Sequence, residues 1–172
     1  MQWPDKASRE DFEIDGFIKA YAKLCGSPKL SIVQKGEKPD FVVKEPGSGK
    51  EFGVELTSVY SNDRSVPDVH MVDVPAGELV DIPYDKQELQ AYEARLISAI
   101  ADKIRKARSG YETSRPLILS VYVNEYVSIY IGKAELDDLV SRHQSFFDAM
   151  APFAEVVFWN LGNGGVYQVR PS

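Results

Sequence analysis

The sequence predicts an α/β domain. Two kinds of segment lead there: apolar runs of strand length rich in Val, Ile and Leu, and longer segments whose apolar residues recur at helical spacing. Their order is the third observation. It runs helix, three strands, helix, strand, and then a further helix with two closing strands.

Each element has its own signal. Asp11 to Cys25 is expected as a helix, with Phe12, Phe17, Ile18, Tyr21 and Leu24 as its apolar stripe. Ser8 is placed to cap it, with Asp11 at the third position of a capping box, and Gly26 and Pro28 end it. A short strand is expected from Leu30 to Gln34. Phe41–Glu45 and Glu51–Ser58 then form a hairpin around Pro46-Gly47-Ser48-Gly49. Residues 59–85 hold Pro67, Pro75 and Pro83 with only short apolar pairs, and are expected as a surface insertion. A second helix runs from Lys86 to Ser109, burying Leu89, Tyr92, Leu96, Ile100, Ile104 and Ala107 and stopping at Gly110. Leu117–Val123, after Pro116, is long and β-rich enough to be a central strand. Val127–Ile131 is expected as another short strand and Lys133–Met150 as a third helix. Glu155–Leu161 and Val166–Arg170 follow as strands joined by the turn Gly162-Asn163-Gly164-Gly165.

The 172 residues suit a single domain spanning 1–172, and 44% hydrophobic with 27% charged residues is ordinary globular composition. No apolar run reaches membrane-spanning length, so no membrane partner is expected. The first residues carry no apolar signal core, and Cys25 is the only cysteine, which together predict a reducing cytoplasm. A formal charge of −6 argues against coating nucleic acid by bulk charge. A local basic face remains open, since Lys103, Arg105, Lys106 and Arg108 cluster. His70 and His143 are the only histidines and lack partners at zinc-ligand spacing. Gly162–Gly165 lacks the helix and Lys-Ser/Thr of a phosphate loop.

Chemistry concentrates in two segments, Lys38-Pro39-Asp40-Phe41-Val42-Val43 and Gly53-Val54-Glu55-Leu56-Thr57. Asp40 opens one apolar run and Glu55 sits inside the next. A carboxylate in a strand is costly to bury unless paired, and the hairpin brings these two toward one end of a sheet, so a divalent cation is a natural partner.

Pro39-Asp40, a gap of fourteen residues and Glu55-Leu56-Thr57, set in this order of elements, resemble the PD-(D/E)XK nuclease superfamily over residues 9–123. The resemblance implies a restriction-endonuclease-like αβββαβ core, a central mixed sheet flanked by helices, to which this chain adds a C-terminal helix and β-hairpin. It implies Mg²⁺ or Mn²⁺ held by Asp40, Glu55 and the Leu56 carbonyl, with Glu13 or Glu10 of the first helix assisting. It also implies endonucleolytic hydrolysis of phosphodiester bonds in DNA. Thr57 departs from the family pattern, which has Lys there. Either the cation comes from the following helix, where Lys103 and Lys106 are available and Thr57 orients a water, or catalysis is lost. In the second case the fold would serve as a protein- or nucleic-acid-binding module, or as an immunity-like partner of a basic protein. A homodimer would suit a small domain that cuts one strand per visit.

Overall fold

Six strands make one mixed sheet in the order β1-β2-β3-β4-β5-β6. The computed structural model of the chain describes residues 5–26, 29–60, 86–124 and 131–172. In chain order the elements are α1 (Lys6–Cys25), β1 (Ser31–Lys35), β2 (Phe41–Lys44), β3 (Glu51–Tyr60), α2 (Lys86–Gly110), β4 (Leu117–Asn124), α3 (Lys133–Arg142), α4 (Gln144–Asp148), β5 (Phe153–Trp159) and β6 (Val166–Val169). Short turns allow β1, β2 and β3 to pair antiparallel, as do β5 and β6. The β3–β4 and β4–β5 pairs are parallel, which needs a crossover; α2 supplies the first, and α3 with α4 the second.

Helices cover both faces, so the middle strands are apolar on both sides. Leu119, Val121 and Val123 of β4 face Leu96, Ile100 and Ile104 of α2, with Val156 and Phe158 of β5 in the same cluster. Ile118 and Tyr122 alternate to the other side and meet Ile14, Phe17, Ile18 and Tyr21 of α1. Ser120 lies buried on that face and accepts a hydrogen bond from Trp159 Nε1 at 2.8 Å. Gly16 lets α1 come close there, because a Cβ on it would stand 2.3 Å from the Trp159 ring.

The α/β class and the sequence of elements agree with expectation, and several boundaries differ. Helix α1 begins at Lys6, capped by Asp5, whose carboxylate accepts the Ser8 N–H at 2.8 Å. The apolar stripe starts only where the helix reaches the sheet, so periodicity places its beginning too late. Gly26, at φ 60°, closes it. Strand β3 runs on to Tyr60, so Val59 and Tyr60 belong to the sheet and not to an insertion; Val59 is buried. Residues 61–85 lie outside the described residues, as does most of the expected strand Val127–Ile131; Ile131 itself is buried and outside any strand. The expected helix Lys133–Met150 divides at His143, whose N–H caps Leu139 and Val140 carbonyls at 3.1 Å, and the redirected chain buries Phe147 and Met150.

Gly16→Ala is expected to destabilise the fold by about 1–3 kcal/mol, the range for overpacking, by pushing α1 off Trp159. Gly110→Ala, with open space around its Cβ, serves as the matched control and should be neutral. Urea midpoints at unchanged m-value check the pair, and an unshifted Gly16→Ala midpoint would contradict the packing.

Candidate active site

The register of the β2–β3 hairpin sets the site. Phe41 pairs with Val54, so the next positions outward are Asp40 and Glu55. Gly53 helps, because a Cβ there would stand 2.8 Å from the Pro39 ring and 2.6 Å from Leu117. With no side chain at 53, Pro39 packs down and carries Asp40 onto β3. The two acids are then tied through each other's backbone. Asp40 Oδ2 accepts the Leu56 N–H at 2.8 Å, and the Asp40 N–H donates to Glu55 Oε2 at 3.3 Å.

Glu55 is 2% exposed, a buried carboxylate in a parallel strand pair. Two side chains from the α2 side reach its other oxygen. Lys103 Nζ lies 2.6 Å from Oε1, and the Tyr111 hydroxyl donates to the same oxygen at 2.5 Å. Lys103 stands at the edge of the apolar face of α2, next to Ile104, so its stem runs along the helix and its ammonium arrives at the sheet. Tyr111 follows the end of the helix at Gly110. With the Asp40 N–H these give Glu55 three donors, which a buried carboxylate needs.

Burial, and then the neighbouring charge of Glu55, push the Asp40 carboxyl up to about 6; the Leu56 N–H and Lys103 pull the other way without cancelling the rise. Burial and the bond to Glu55 push the Tyr111 hydroxyl well above its ordinary range, so it remains a donor at neutral pH. Two acids thus share one lysine, and negative charge is in excess.

Asp40, Thr57 and Lys103 open onto a cleft of about 320 Å³ whose far wall is α1, with Arg9, Glu10 and Glu13. Glu13 accepts a hydrogen bond from the Ser58 hydroxyl of β3. It shares the cleft but does not complete a ligand triad. Among the described residues no three His, Cys, Asp or Glu side chains gather closely enough to hold a metal. Glu10 is paired with Lys6 at 3.5 Å and Lys35 at 3.6 Å. Lys106 does not replace the missing strand lysine. Three residues beyond Lys103 it is rotated about 60° around the helix. There it is exposed and pairs with Asp102 at 2.8 Å. Of the residues singled out from sequence, Asp40, Glu55, Thr57 and Lys103 come together, Glu13 lies across the cleft, and Lys106 is elsewhere. Tyr111 is the site residue that sequence reasoning missed; an aromatic residue just past a helix stop is its only local signal.

The donor set fits a hard divalent cation. Asp40 and Glu55 offer oxygen ligands, the chain at Leu56 borders the same cleft, and a cation would offset both the burial and the Glu55 charge that raise the Asp40 carboxyl.

Folding raises the Asp40 pKa from 3.8 to about 6, so the folded chain holds that proton more tightly than the unfolded one. Stability from this group is therefore full below about pH 4 and falls as pH rises through about 6. Asp40→Asn keeps the acceptor for Leu56 and removes the titration. Relative to wild type the variant should gain on the order of 1 kcal/mol between pH 4 and pH 7, after discounting for solvent screening. Urea unfolding across that range checks it, and a difference that stays flat with pH would contradict the coupling.

Compared with known proteins, the chain matches no family model, no curated protein and no solved structure.

Proposed function

We propose that the chain is a divalent-cation-dependent phosphodiesterase of the restriction-endonuclease-like, PD-(D/E)XK kind, acting on DNA. The observation that carries this reading is the 2.6 Å contact between Lys103 and Glu55. It puts a helix-borne cation beside Glu55, on the strand that has Thr57 where a lysine was expected.

In this reading Asp40, Glu55 and the Leu56 carbonyl hold Mg²⁺ or Mn²⁺. The ion supplies Lewis acidity and neutralises phosphate charge. The rest falls to the chain's own groups. Lys103 offers its ammonium to the non-bridging oxygens of the scissile phosphate, where negative charge grows in the transition state. Thr57, lining the same cleft, orients the attacking water by a hydrogen bond. Tyr111 holds Glu55 Oε1, so that Oε2 stays on the Asp40 side. Asp40 holds the ion in its ionised form, so protons compete with the ion and Mn²⁺ affinity should weaken as pH falls through about 6, where the ion-free carboxyl titrates.

A second reading has its own observation. Lys103 and Tyr111 already occupy Glu55 Oε1, as they would in a nuclease-like fold that binds without cutting.

Cleavage of plasmid and oligonucleotide DNA with Mg²⁺ or Mn²⁺ distinguishes the two. Asp40→Ala, Glu55→Ala and Lys103→Met should each reduce the rate by roughly 10²-fold or more, the scale for losing one transition-state contact. Lys106→Met should stay within about twofold, as for a surface substitution away from the site. Wild-type protein that cleaves neither DNA nor RNA with either ion contradicts catalysis. If it also gives no heat on titration with Mn²⁺, the ion-free binding module stands in its place.

A further inference from the structure

The cleft holds more charge than the chemistry above uses, and pairing sorts it. Lys103 is paired with Glu55 and is the cation already assigned to the scissile phosphate. Glu13 accepts from Ser58. Glu10 is shared by Lys6 and Lys35. The Asp5 carboxylate, one turn before Arg9, is taken up by the Ser8 N–H. Arg9 is left. It lines the cleft, it is half-buried, and among the described residues its guanidinium makes no hydrogen bond or ion pair. Asp5 feels its charge from a distance, but no carboxylate bonds its planar fork, which suits bidentate phosphate contact.

Arg9 lies on α1, one turn before Glu13, whereas Lys103 approaches the acids from α2. The two cations therefore enter the cleft from different elements, Lys103 beside Glu55 and Arg9 from the helix that carries Glu13. We propose that Arg9 binds a second backbone phosphate, next to the scissile one, so that the substrate is a polynucleotide strand laid across the first turns of α1. This rests on the phosphodiesterase reading, whose substrate is DNA, and adds to it a residue that positions the strand.

The test measures binding of a fluorescein-labelled oligodeoxythymidylate by anisotropy over a range of salt, with Ca²⁺ in place of Mg²⁺ to prevent turnover. Arg9→Gln should weaken binding roughly three- to tenfold at low salt and flatten the log–log salt slope by about 0.7, the share of one released counterion on a single strand. Mn²⁺ binding by calorimetry and the melting temperature should be unchanged. Lys19→Gln is the charge-matched control, since Lys19 is exposed on the same helix, pairs with Asp15 at 2.6 Å and lies off the cleft; it should bind like wild type. An Arg9→Gln slope equal to wild type, with wild-type binding intact, overturns the Arg9 contact alone. Equal losses in the two variants overturn it as well, by assigning the effect to bulk charge. Wild-type protein that does not bind the oligonucleotide at all overturns the nucleic-acid reading beneath it.

Discussion

Burial of a carboxylate in β3 is the constraint on which the site depends. Glu55 is 2% exposed and must find its donors inside the protein. One comes from the backbone at Asp40, one from Lys103 three-quarters of the way along α2, and one from Tyr111 just beyond that helix. Satisfying two oxygens thereby ties together the hairpin register, the position of α2 against the sheet and the point where the helix stops. Losing one partner of such a buried pair costs about 3–5 kcal/mol in comparable cases, so the geometry is strongly held.

Other buried acids show what sets this one apart. Glu155 is 4% exposed and is met by Tyr21 at 2.8 Å, by Arg170 at 3.1 Å and by Gln168. Glu93 pairs with Arg142 at 2.6 Å. Both join elements: Glu155 links α1 to β5 and β6, and Glu93 links α2 to α3. Glu155 is met by donors, and Glu93 shares Arg142 with the exposed Asp138. Glu55 has Asp40 beside it, and that repulsion is relieved only in part by one lysine. The surplus acid at Arg142 lies at the surface, whereas the surplus at Asp40 faces a cleft. That excess is the physical ground for expecting a cation there, and Arg9, which lines the same cleft with no carboxylate bonded to its guanidinium among the described residues, is the ground for expecting an anion with it.

How much of this is legible in the sequence follows from the range of each interaction. Asp40 and Glu55 stand out because an acid at the head of an apolar run and another inside the next break a local pattern, and a hairpin turn puts them in register. Lys103 is visible as a charge at the edge of an apolar helical stripe, and the absence of Lys at Thr57 directs attention to it. Choosing between Lys103 and Lys106 needs the rotation of α2 against β3, which is a tertiary fact. Tyr111 reaches Glu55 across 56 residues, and no local pattern reports that contact. Glu155 looks like the first residue of a strand until α1 is seen to place Tyr21 over it. Boundaries err for the same reason: α1 begins a turn before it touches the sheet, and β3 continues to Tyr60 because β4 pairs with it that far.

The most direct test of the account is an anomalous difference map from crystals of the protein soaked in Mn²⁺. The account predicts one strong peak within ligand distance of Asp40 and Glu55, about 2.0–2.3 Å from carboxylate oxygen, with Lys103 still at the cleft and no peak in crystals of Asp40→Ala. A map without density at these two acids, or with Mn²⁺ bound elsewhere while Glu55 keeps Lys103 and Tyr111 unchanged, would contradict it.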